Sequence, residues 1–272
     1  MRKSKILARL RAGEVARVVS TSHYLPFYPA LAAQYGFDGV WVDTEHGNWD
    51  PSNAKAFMAY HHLADVDCLF RTSTREKTGL ARIYEDGASG IMVPHVNDAA
   101  AATWLAECCK FPPLGDRGVD GSGLDGGFWV GKGPNYTQDA NAETFTCLQI
   151  ETLTAVATAE AIAAVPGVDM LFLGPGDLGV RVGCSGSLAE PAIWSALEKV
   201  VAACRKHGKF VGCPAGTGEL AKKAVDLGVN LIAFGGEFMA IMEMMQRQAQ
   251  VLDQVLGEDR LSKAGKSEAA AA

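Results

Sequence analysis

The side chains of this sequence that can bind or move charge fall at the ends of short apolar runs. Thr21, Ser22 and His23 close or follow ARVVST (16–21), and Asp43, Glu45 and His46 close or follow GVWVD (39–43). Arg71 ends DCLFR (67–71), and Pro94 and His95 end GIMVP (90–94). Gln149 and Glu151 close TCLQIE (146–151), and Gly174-Pro175-Gly176-Asp177 follows DMLFLG (169–174). Carboxylates from adjacent strand ends can converge on one hard cation, so Glu151 and Asp177 form the leading metal pair. Neither cysteine nor a histidine pair stands beside them, which favours magnesium, manganese or cobalt over structural zinc. The alternative is that both cap the helices that follow. Arg71 ends an otherwise apolar run, where a guanidinium needs an anion: a substrate carboxylate, an enolate oxygen, or an internal salt bridge. His46 is a candidate general base, since imidazole titrates near neutral pH. The GPGD turn lacks the spacing and lysine of a phosphate loop and is better suited to presenting N–H groups to a carboxylate.

These residues need a scaffold that brings strand ends together. Besides the runs above, KFVGC (209–213) and NLIAF (230–234) make eight, each short and nearly continuous, as parallel strands buried on both faces should be. Between them lie helical stretches at Tyr28–Gln34, Ser52–His62, Thr78–Asp86, Ala99–Cys109, Ala155–Val165, Ala192–Lys206 and Glu219–Leu227, several followed by a glycine. Eight alternations predict an α/β protein, a (β/α)₈ barrel with its reaction site at the carboxyl ends of the strands. No G-x-G-x-x-G follows the first run, which counts against an open dinucleotide-binding sheet. The expected domain spans residues 1–257, with a disordered tail over 258–272. The Gly-rich connection Phe111–Asn141 is long enough to be a lid or an oligomer contact. A helix from Glu237 to about Leu256 carries Met239, Met242, Met244 and Met245, and either closes the barrel or packs on a neighbouring subunit.

Bulk properties exclude several classes. The chain has 272 residues, 48% of them hydrophobic, enough for one large core. Its net charge of −6 offers no basic stripe for nucleic acid. No apolar run approaches the roughly 18 residues of a membrane span, and no secretory signal stands at the N-terminus, so a cytoplasmic protein is expected. The seven cysteines are scattered and mostly within apolar runs, which predicts reduced core residues.

Taken together, GFDGVWVDTEHG (36–47), Arg71, GASGIMVPHV (87–96), FPPLGDRG (111–118), QIET (149–152) and GVDMLFLGPGDLG (167–179) resemble the HpcH/HpaI aldolases, the metal-dependent class II pyruvate aldolases. The resemblance spans roughly residues 5 to 256. It implies a TIM barrel, commonly assembled as a hexamer, a trimer of dimers that exchange the C-terminal helix. It also implies that Glu151 and Asp177 bind Mg²⁺, Mn²⁺ or Co²⁺, that Arg71 steadies the pyruvate carbonyl and enolate, and that His46 does the base chemistry. Gln149 would bind substrate oxygen beside the metal, and the Gly174–Pro175–Gly176 backbone would hold the pyruvate carboxylate. The implied reaction is reversible cleavage of a 4-hydroxy-2-oxo acid to pyruvate and an aldehyde through a metal-stabilised enolate.

Departures from the family pattern matter. Where many members place an Asp that partners the base histidine, this chain has Glu85 and Asp86, so either acid is a candidate partner of His46. The loop TSHYLPFYP (21–29) is unusually aromatic and Gly212–Thr217 is unlike its aliphatic counterpart, which points toward an altered aldehyde, an aromatic one, and a place in aromatic catabolism. No lysine stands at these strand ends, against Schiff-base chemistry. The competing readings are a malyl- or citramalyl-CoA type lyase, for which a basic nucleotide groove is missing, and a non-catalytic barrel scaffold.

Overall fold

The computed structural model describes residues 1–261. In chain order the elements are α1 (Lys5–Arg11), β1 (Ala16–Thr21), α2 (Tyr28–Gln34), β2 (Gly39–Asp43), α3 (Pro51–Ala64), β3 (Asp67–Arg71), α4 (Lys77–Glu85), β4 (Gly90–Val93), α5 (Ala99–Cys109) and α6 (Tyr136–Glu143). They continue with β5 (Phe145–Ile150), α7 (Leu153–Ala157), α8 (Ala159–Ala163), β6 (Met170–Leu173), α9 (Pro175–Val182), α10 (Pro191–His207), β7 (Phe210–Pro214), α11 (Gly218–Leu227), β8 (Leu231–Gly236) and α12 (Glu237–Leu256). The strands close in sequence order into one barrel. Each consecutive pair is parallel, with Asp43 registered beside Arg71 and Gln149 beside Phe172. The predicted (β/α)₈ fold is therefore the observed one.

Strand residues alternate between two cores. Val18, Leu69, Met92, Phe145, Cys147, Met170, Phe172 and Leu231 fill the barrel interior. Glycine makes room there: a Cβ on Gly90 would sit 2.3 Å from the Phe145 ring, and one on Gly212 would sit 2.6 Å from Phe172. The other strand face packs on the helices, with Val40, Val42, Cys68 and Phe70 against α3 and Ile91, Val93, Leu148, Ile150 and Leu171 against α5, α8 and α10. Helix α1 closes the end of the barrel where strands begin. Ile6 and Leu10 enter the interior cluster, and buried Asp67 accepts from the Ile6 N–H at 2.9 Å and from the Ser4 hydroxyl. All seven cysteines are free, and all but Cys184 are buried, as the sequence predicts.

The connection 111–135 folds onto the end of the barrel where β4 starts. Buried Arg117 donates to Asp125 at 2.9 Å beneath the Phe111 ring, and Tyr136 Oη donates to the same carboxylate at 2.6 Å. Leu124 packs at Gly87 and Gly123 at the Glu85 carbonyl, so this segment is no lid for the opposite rim of its own chain.

The chain divides into two compact units, Met1–Phe234 and a unit beginning at Gly235. The domain expected over 1–257 spans both, and the expected tail lies, from residue 262 on, outside the described residues. The second unit is built on α12, where Met239, Met242, Met244 and Met245 are all exposed. Among the described residues no helix is long and apolar enough to cross a membrane.

Candidate active site

Four strand ends and one helix start supply the site. At the end of β2, Asp43 accepts from the Glu45 N–H at 3.0 Å and the His46 N–H at 3.3 Å, folding the loop back over the strand. Arg71, the last residue of β3 and only 7% exposed, grips the same carboxylate as a fork. Its Nε donates to Asp43 Oδ1 at 2.9 Å and its Nη2 to Oδ2 at 2.6 Å. The remaining nitrogen, Nη1, lies 3.1 Å from Glu45 Oε2, and the guanidinium sits 4.9 Å over the Trp41 ring. Burial alone would raise the Asp43 carboxyl, but the Arg71 fork and the two N–H donors outweigh it and hold it below its ordinary value. Arg71 thus has the internal partner that the sequence left as one alternative, with Glu45 as a second beside Nη1.

Glu151 follows β5 and is 1% exposed. Its Oε1 takes the His95 N–H at 2.6 Å and lies 2.6 Å from His95 Nδ1, while its Oε2 accepts from Gln149 Nε2. Burial pushes the Glu151 carboxyl up, and Asp177 and Glu45 push it the same way against the donation from His95. Asp177 lies in the first turn of α9 and is partly exposed, with Arg181 Nη1 at 2.8 Å from its Oδ1; that guanidinium holds its carboxyl low. Gly174 is required by close approach. A Cβ there would stand 2.6 Å from both Gln149 Nε2 and Glu151 Oε2, whereas Gly176 has open space beside it. Pro175 begins α9, whose first N–H groups have no partner within the helix.

The donor set suits a hard divalent cation. Glu151, Asp177 and the Gln149 Oε1 atom, which is buried and unpartnered, all offer oxygens, and the upward push of Asp177 and Glu45 on the Glu151 carboxyl marks an anionic locus. Among the described residues no group of three or more His, Cys, Asp and Glu side chains is placed to hold a metal ion, so a cation here would rest on the two carboxylates and on other oxygens.

His46 stands at the mouth, its side chain 65% exposed, with Nε2 4.0 Å from Glu45 Oε2. Neither Glu85 nor Asp86 is brought to it within this chain, a correction to the expected pairing. Glu85 ends α4, which runs antiparallel to the strands, so both acids lie near the start of β4, at the other end of the barrel. Asp86 pairs with Lys55 at 3.0 Å and Glu85 with Arg82 at 3.6 Å, beside a cleft of about 290 Å³ that Phe128 also lines. The acid beside His46 is Glu45 instead. Asp43, Glu45 and His95 are the rim residues that sequence reasoning did not select. Their position after apolar runs was visible, but pairing with Arg71 and Glu151 depends on register and loop shape. The aromatic first loop is largely spent on packing: Tyr24 meets Trp49 and Phe57 edge-on, and Tyr28 Oη donates to the Ser20 carbonyl at 3.0 Å. Phe27 remains exposed.

Residues 27–242 match the family model described as HpcH/HpaI aldolase/citrate lyase. The chain is 35% identical over 222 residues to a 2-dehydro-3,6-dideoxy-6-sulfogluconate aldolase of Pseudomonas putida, covering 80% of this chain and 83% of that one. It is 30% identical to a hydroxypyruvate/pyruvate aldolase of Pseudomonas aeruginosa, over 89% of this chain and 90% of that one. The crystal structure of an HpcH/HpaI aldolase from Desulfitobacterium hafniense superposes with a TM-score of 0.84 at 27% identity, covering 91% of this chain and 96% of that one.

Proposed function

The chain belongs to the HpcH/HpaI aldolase/citrate lyase family, and within it we propose a divalent-metal-dependent aldolase that cleaves a 4-hydroxy-2-oxo acid to pyruvate and an aldehyde, reversibly. The enzyme is a carbon–carbon lyase. The observation that carries the finer reading is the convergence at one rim of the Arg71 edge, the buried Glu151 carboxylate, Asp177 and the unpartnered Gln149 Oε1.

A Mg²⁺, Mn²⁺ or Co²⁺ ion held by Glu151 and Asp177 would supply Lewis acidity at the 2-oxo oxygen of the keto acid. The chain's own residues do the rest. Pro175 has no N–H and Gly174 donates its own to the Ile150 carbonyl, so within this turn the Gly176 N–H and the one after it, in the first turn of α9, receive the substrate carboxylate, where the helix end favours negative charge. His46, at the exposed mouth, takes the proton of the C4 hydroxyl. The C3–C4 bond then breaks, its electron pair passing to C3 to give the enolate of pyruvate while C4 leaves as the aldehyde. Arg71 Nη1 donates to the enolate oxygen, a donor fixed in advance by the Asp43 fork. The second N–H of Gln149 Nε2, whose first is given to Glu151, donates to substrate oxygen from the β5 side, and protonation at C3 gives pyruvate. Glu85 and Asp86 have no step within one chain; they enter only where a neighbouring copy of a homo-oligomer, such as a trimer of dimers, carries them to another rim.

Exchange of the pyruvate methyl protons for deuterium, followed by NMR, tests this half of the reaction without knowledge of the aldehyde. Exchange should occur with Mg²⁺, Mn²⁺ or Co²⁺ and stop with EDTA. Full exchange in EDTA, or none with any of the three ions, would defeat the proposal.

A further inference from the structure

His95 stands between the two halves of the site, and the scheme above gives it no task. Three features single it out. Its backbone φ is +55°, uncommon outside glycine and adopted chiefly by Asn, Asp and His. That turn of the backbone aims the His95 N–H at Glu151 Oε1, 2.6 Å away. Its ring spans two carboxylates, Nδ1 lying 2.6 Å from that same oxygen and Nε2 lying 3.2 Å from Glu45 Oε1. Since Glu45 Oε2 lies 3.1 Å from Arg71 Nη1, one line of polar contacts runs from Asp43 through Arg71, Glu45 and His95 to Glu151. Strained backbone persists where its surroundings over-determine it, and the rim does so here.

We infer that His95 is a positioning residue, which sets the orientation of the Glu151 carboxylate and ties it through Glu45 to the Arg71 guanidinium. The inference rests on the aldolase reading, because it takes Glu151 for a cation ligand. A carboxylate oxygen has two lone-pair sites. The main-chain and ring nitrogens of His95 occupy both on Oε1, whereas Gln149 Nε2 takes only one on Oε2. Oε2 is therefore the oxygen with a site to spare for a cation. Without the ring, Oε1 would keep only the main-chain N–H and Oε2 the Gln149 donor, a looser hold on the orientation of the carboxylate. Groups that orient a metal ligand in this way are worth about tenfold to a hundredfold in metal affinity.

The test is Mn²⁺ binding to chelator-stripped protein, read from the electron paramagnetic resonance signal of free Mn²⁺. His95→Gly keeps the N–H and suits the positive φ while removing the ring. His95→Asn also tolerates that φ and returns an amide donor near the position of Nδ1. Glu151→Gln is the control for the ligand itself. The wild type should bind Mn²⁺ and Glu151→Gln should not; His95→Gly should bind about tenfold to a hundredfold more weakly, and His95→Asn should recover most of the loss. Wild-type affinity in His95→Gly overturns the inference and leaves the aldolase reading standing. Equal weakening in His95→Gly and His95→Asn overturns it too, by making the ring a packing element only. Absence of Mn²⁺ binding in the wild type sinks the cation reading, and this inference with it.

Discussion

Replacing Arg71 by lysine separates charge from geometry at the centre of the site. The guanidinium makes three contacts at once, two to Asp43 and one to Glu45, because its nitrogens are held in a rigid fork. An ammonium at that position keeps the charge but has one centre, and the buried Asp43 carboxylate will claim it. The donor facing the substrate is then lost. A single preorganised donor to a developing oxyanion is worth roughly 2.7–4 kcal/mol. At about 1.36 kcal/mol per decade that is roughly 100-fold to 900-fold in rate. Arg71→Ala would be a poorer probe, since it strands a buried carboxylate at a cost of about 3–5 kcal/mol in stability.

The assay is deuterium exchange into pyruvate at saturating metal, with urea unfolding of the same samples. Arg71→Lys should lower kcat by the stated factor, with little change in KM and a modest change in the unfolding midpoint. The pH dependence has a definite sign. The folded Asp43 carboxyl titrates below its ordinary value, so the stability its pairing contributes is complete above the unfolded value of about 3.9 and is lost as pH falls through the lower folded one. Between about pH 6 and 8 the carboxylate stays ionised, and the ratio of wild-type to variant rates should be flat. A variant within about threefold of wild type would refute the reasoning, because an oxyanion donor cannot be worth so little.

Other outcomes follow from the same contacts. Glu151 is raised in the fold by burial and by Asp177, so its stabilising share is present below the unfolded value of about 4.3 and is lost as pH rises through the folded one. In chelator, Glu151→Gln should therefore unfold at higher urea than wild type at pH 8, with the difference closing toward pH 4; the reverse order would be evidence against an anionic locus. Gly90→Ala places a Cβ 2.3 Å from the Phe145 ring and should cost about 1–3 kcal/mol in urea unfolding, part of it regained by adding Phe145→Leu. Arg117→Ala leaves Asp125 buried with only the Tyr136 hydroxyl and the Gly126 N–H, and should cost about 3–5 kcal/mol. An unchanged urea midpoint in either variant would show that the local packing relaxes.

The barrel was legible because a strand buried on both faces writes its burial into consecutive apolar residues. β1, β2 and β3 begin and end where the sequence places them, as do α2 and α5. What was missed has equally physical causes. Helix α1 is short and buries Ile6, Leu7 and Leu10 amid basic residues, so its pattern reads as a polar terminus. The stretch 155–165 reads as one helix, but the chain breaks it at Thr158 into α7 and α8. Helix α9 is absent from the helical stretches read in sequence, and the GPGD turn is its start, although Pro175 there and Gly183 in a left-handed conformation after its end are ordinary boundary signals.

The candidate site was only half legible, and the division falls between position and partnership. Arg71 ends β3, Gln149 and Glu151 lie in and just after β5, and Asp177 lies in the first turn of the helix after β6, so a parallel barrel delivers all four to one face. Partnership is another matter. Glu85 and Asp86 come shortly before β4, so the barrel's own polarity carries them to the face away from His46. Glu45 reaches Arg71, His46 and His95 because two N–H donations to Asp43 fold its loop inward. His95 reaches Glu151 because its φ is positive. Neither a loop reversal nor a left-handed residue leaves a periodic trace in sequence, and both arise only after the strands have fixed where the loops begin. The residues proposed to bind cation and substrate therefore stand where the fold alone places them, whereas their partners become visible only in the folded chain.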